Sequence, residues 1–163
     1  MFQLLLFLHV IGAIAVFGPV FVFPLIVSEG RKNPQHFPFA AILTEVIPRR
    51  VVVPGAVVQG ITGVLLILNT GRDLTLPVNR WLVAGIILYL VTISLAAFVQ
   101  AKNAEEMVRL LSAGPPPGPP PAGAPAGPPP EIAELAKKLQ RTGMLLTGLI
   151  TVIVLLMVTK PAF

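Results

Sequence analysis

The chain has 163 residues, of which 55% are hydrophobic and 12% charged, with a net charge of +5 and no cysteine. A soluble domain carries about 25% charged residues, so the deficit excludes a soluble globular enzyme, a disordered chain and a nucleic-acid-binding module. The missing cysteine excludes disulfides, thiolate metal sites, iron–sulfur clusters and a cysteine nucleophile.

The charge is missing because four apolar stretches dominate the sequence. A bilayer core of about 30 Å needs roughly 20 apolar residues of helix. The first stretch, residues 3–28, carries no formal charge. It lacks a basic leader region and is too long for the apolar part of a signal peptide, so it is expected to be a retained span. Pro19 and Pro24 are expected to kink it. The second stretch, residues 51–69, is also uncharged, with Pro54 in its first turn. The third, residues 81–100, opens on Trp81, holds Tyr89 and continues as a polar helix to residue 112. The fourth, residues 143–159, is short and ends at Lys160. The expected fold is an all-α, polytopic integral membrane protein, an antiparallel four-transmembrane-helix bundle in one membrane domain. Short connections make the second and third spans neighbours.

The loops set the expected orientation. Nine of the twelve basic residues lie in two long loops: Arg31, Lys32, Arg49 and Arg50 in one, and Lys102, Arg109, Lys137, Lys138 and Arg141 in the other. The opposite side holds Arg72, Arg80 and Lys160. The positive-inside rule therefore puts both loops in the cytoplasm and both termini outside. In the first loop, residues 37–47 are apolar but too short to span. They read either as an interfacial helix along the cytoplasmic leaflet or as a lead-in turn to the second span. In the other loop, residues 114–130 contain ten of the eighteen prolines. This is a proline-rich cytoplasmic linker, extended rather than packed, between two helical, charged flanks. It reads first as a spacer and second as a ligand for an aromatic-grooved domain.

Ionisable residues inside a membrane mark function, and no Asp, Glu, Lys or Arg lies in any span. That argues against a carboxylate proton relay, a cation-coupled transporter and a voltage sensor. His9 remains as a candidate haem axial ligand, because neutral imidazole binds haem iron. Gly12 and Ala13 beside it admit either a close helix or a flat cofactor between the first two spans, against Thr62 or Tyr89. His36 lies in a loop on the other side and cannot be a second axial ligand. Gly55, Gln59, Thr62 and Gly63 form a face of small and hydrogen-bonding residues, the signature of a helix-packing seam. No catalytic constellation and no metal cluster is present, so no catalytic or metal residue is assigned.

Phe7-Leu8-His9-Val10-Ile11-Gly12-Ala13, with Phe17-Gly18 and Pro24, resembles the opening helix of a group of small bacterial membrane proteins. Val51, Pro54-Gly55 and Thr62-Gly63 resemble the second helix of one of them, a four-helix predicted integral membrane family of unknown function. HemJ-type protoporphyrinogen oxidases and CopD-type copper-resistance proteins are more distantly similar. The HemJ likeness implies a haem-associated role for His9, although Val16 stands where those proteins carry a Trp. The expected function is that of a non-catalytic accessory or structural membrane component. Its partners would be the bilayer and other membrane subunits or a second copy, with no nucleic acid. The alternative is a haem-binding redox protein or HemJ-like oxidase using His9.

Overall fold

The computed structural model describes residues 1–113 and 129–161. These residues form six helices: α1 (Phe2–Lys32), α2 (Phe37–Ile47), α3 (Val53–Thr70), α4 (Arg80–Leu95), α5 (Ala101–Ser112) and α6 (Pro130–Thr159). No strand occurs among the described residues. A π-turn over Pro48–Val52 joins α2 to α3, and a second over Ala96–Gln100 joins α4 to α5. The chain therefore makes four long, apolar helical rods, each able to cross a bilayer: Phe2–Gly30, Phe37–Thr70, Pro77–Ser112 and Pro130–Thr159. The fold is an all-helical, four-span membrane bundle.

The rods run past the apolar stretches read from the sequence, the third into the helical extension to residue 112 and the fourth into the helical flank that follows the linker. Residues 37–47 are neither an interfacial helix nor a turn. They are α2, continuous with the second span and packed against α1 and α5. At about 1.5 Å per residue, the 34-residue rod is far longer than the roughly 30 Å hydrocarbon core. The helix that carries the fourth span begins at Pro130, because proline is well suited to the first turn of a helix, where its missing N–H is no loss. Pro130 thus belongs to α6 rather than to the linker. Residues 114–128 of the proline-rich linker lie outside the described residues.

The prolines explain two local features. Pro24 lacks an N–H, which frees the Val20 carbonyl inside α1. The Thr147 hydroxyl from α6 stands 3.5 Å from that carbonyl while bonding Gly143 O at 2.9 Å. α1 remains one uninterrupted helix through both Pro19 and Pro24. Pro54 likewise cannot donate to residue 50, and the first π-turn falls at this break in the hydrogen-bond ladder.

Packing separates two cores along the rods. In the membrane part, Val16, Val20 and Phe23 of α1 meet Val52, Ala56, Leu146 and Ile150. Beyond the π-turns, Ala41 of α2, Ala104 and Met107 of α5, and Ile132, Ala136 and Leu139 of α6 form a second core. Helix α1 packs on α3 and α6, and α6 packs on α4. The neighbours expected from the short loop, α3 and α4, are antiparallel but not closely packed. The Tyr89 ring spaces them, and its hydroxyl donates to Ala56 O of α3.

Candidate functional site

The α1–α3 contact is the most chemically varied part of the membrane interior. The i, i+3, i+4 spacing of Gly55, Gln59, Thr62 and Gly63 places them on one face of α3, against His9, Gly12 and Val16 of α1. The His9 Nδ1 lies 2.8 Å from Thr62 Oγ1. Thr62 Oγ1 in turn lies 3.0 Å from Gln59 O, a carbonyl that can only accept. With the hydroxyl proton on Gln59 O, Nδ1–H of the neutral ring donates to Thr62; with that proton directed at the ring, Nδ1 accepts it. Gln59 Nε2 donates to the His9 carbonyl at 2.8 Å, tying the two backbones together.

The small residues on this face are filled, not vacant. A methyl group at Gly12 would fall 2.8 Å from Gln59 Oε1, and one at Gly63 would fall 3.3 Å from His9 Cε1. Gly55 lies directly against the Val16 side chain, and Gly60 against the Tyr89 hydroxyl. Ala13 is half-buried on α1. A flat cofactor seated between α1 and α3 would have to displace His9 and Gln59 from the glycine positions they already occupy.

Other polar side chains of the bundle are also engaged with backbone. Thr92 Oγ1 donates to Leu88 O at 2.7 Å, and Gln100 Nε2 to Leu139 O at 3.3 Å. The Tyr89–Ala56 bond and the Gln59–His9 bond were not legible in the sequence, since a side chain that binds backbone leaves no partner residue to recognise. Among the described residues, no three His, Cys, Asp or Glu side chains come together as a metal site would need.

Charges lie at the two ends. At the α2–α5 end, Arg49 joins Glu45 at 3.2 Å and Glu105 at 3.4 Å, linking the first π-turn to α5. The Arg109 guanidinium, bonded to Glu106, holds that carboxyl below its usual range and is itself raised. At the other end, Thr75 donates to Asp73 from both its hydroxyl and its backbone N–H, which lowers the Asp73 pKa.

Four apolar rods with buried polar links define a multi-span helical membrane protein. Residues 3–161 match the family model described as "Predicted integral membrane protein (DUF2269)", and the chain belongs to that family. No curated protein and no solved structure matches it.

Proposed function

We propose that this chain is a non-catalytic small integral membrane protein, an accessory or structural component that associates with itself or with other membrane subunits. The observation that carries this reading is how the intramembrane polar groups are used. His9, Gln59, Thr62 and Tyr89 hold helices to one another, and no formal charge lies in the spans to serve a relay. Much apolar surface faces outward, including Leu68 and Val158, both more than two-thirds exposed. Lipid covers such residues in part, and partner helices compete for them by packing. The basic loops support an orientation with those loops cytoplasmic and the termini outside, and the resemblance to small bacterial membrane proteins supports a bacterial-type inner membrane. The proline-rich segment serves as a cytoplasmic spacer between α5 and α6.

Purification in mild detergent followed by mass measurement tests this reading. A dimer, a larger assembly or a stable hetero-complex is expected. A strictly monomeric species with a reproducible small-molecule transport activity would overturn it.

The alternative is a haem-binding redox protein or HemJ-like oxidase. One observation favours it: the Thr62 hydroxyl lies 2.8 Å from His9 Nδ1, and a second partner on the other ring nitrogen is what orients a metal-ligating histidine. The filled α1–α3 contact counts against it, and no chemical step follows from the residues present.

A further inference from the structure

At the end of the bundle where α3 and α6 stop and α4 begins, three elements converge on the Trp81 ring. Trp81 lies in the first turn of α4 and is buried, 6% exposed. The Arg72 guanidinium, just past the C-cap of α3, stands 5.8 Å from the ring centroid. The Lys160 ammonium, at the C-cap of α6, stands 5.9 Å from the same centroid. Lys160 reaches it from a left-handed backbone, φ 45° and ψ 54°, an uncommon conformation for a residue other than glycine.

The loop between α3 and α4 is built to hold this arrangement. Asn79 donates from Nδ2 to Asp73 O at 2.7 Å and accepts Arg72 Nη1 at 3.2 Å. The one carboxylate in the loop, Asp73, accepts twice from Thr75 and pairs with neither cation. Among the described residues, no carboxylate lies within ion-pair distance of Arg72 or Lys160, whereas five ion pairs occur at the opposite end. Each cation has a local reason to sit near a helix C-terminus, where the dipole attracts it. Both are also turned onto one indole, whose ring attracts each of them, and neither is neutralised there by a carboxylate of the described residues. A bound anion would supply the charge that this end lacks. At the level where tryptophan marks the membrane–water boundary, the abundant anion is the lipid phosphate.

We propose that Arg72, Trp81 and Lys160 form a binding site for the phosphodiester of an anionic phospholipid headgroup. The lipid lies in the leaflet at that end of the bundle. The indole supplies a rigid floor and the two cations the charge. The site depends neither on the functional reading above nor on which side of the membrane this end faces.

Trp81 is the sole tryptophan in the chain, so intrinsic fluorescence reports on this site alone. The test titrates the detergent-solubilised full chain with dihexanoyl phosphatidylglycerol, dihexanoyl phosphatidylcholine and inorganic phosphate. The expected result is a saturable change with phosphatidylglycerol, at a half-point at least tenfold below that for phosphatidylcholine, and none with inorganic phosphate at equal concentration. R72Q and K160Q should each raise the half-point severalfold, and K160R should not. Native mass spectrometry of the unaltered protein should show retained phosphatidylglycerol, a readout that stands even where a variant folds poorly. Equal binding of both lipids, saturation by inorganic phosphate, absence of retained phosphatidylglycerol, or wild-type binding by the folded R72Q/K160Q double variant would each overturn the proposal.

Discussion

His9 and Thr62 are 53 positions apart in sequence and 2.8 Å apart in space. Depth in the membrane already points to Thr62 as a partner, since the second span runs antiparallel to the first. What depth does not reveal is that Gln59 bonds the His9 backbone, or that Gln59 and His9 occupy the space opened by Gly12 and Gly63. Glycines at an interface can receive either a ligand or a neighbouring side chain, and the sequence pattern is the same for both. An absorption spectrum of the purified protein separates the two outcomes. We expect a colourless preparation that stays colourless after haem reconstitution. A Soret band that disappears in folded His9→Ala would contradict the packing role of His9.

At the scale of elements, the four apolar stretches identify the four rods because their lengths and lack of charge leave few alternatives. The second core was harder to read. Helix α5 carries its own apolar stripe, Ala101, Ala104, Met107, Val108 and Leu111, at helical spacing, and this signal was available beneath its charged residues. Its partners were not, because they lie on α2 and on the start of α6, on either side in the chain. The first π-turn has a visible cause in Pro54, and nothing in the sequence marks the second. Met107 is 1% exposed at the centre of this core. Met107→Ala should therefore lower stability by about 2–4 kcal/mol in detergent unfolding. Leu68→Ala, at a position 71% exposed, should change it by less than about 0.5 kcal/mol. Equal losses at the two positions would show that the segment beyond the π-turns is not a packed core.

For the whole molecule, the two ends differ in charge as well as in packing. One end gathers nine basic residues around the second core, and the other holds three. A reporter fused after Phe163 should be active only as an external reporter, and a cytoplasmic signal would reverse the proposed orientation. The same molecule has little polar material within its spans, and His9, Gln59, Thr62 and Tyr89 use theirs to link helices. The most direct test of that claim is a double-mutant cycle on His9→Ala and Thr62→Ala, read as unfolding free energy in one detergent. If the seam holds the bundle together, the two losses should be non-additive, with a coupling of about 0.5–1.5 kcal/mol. Strictly additive losses, or single variants as stable as the unaltered protein, would contradict it.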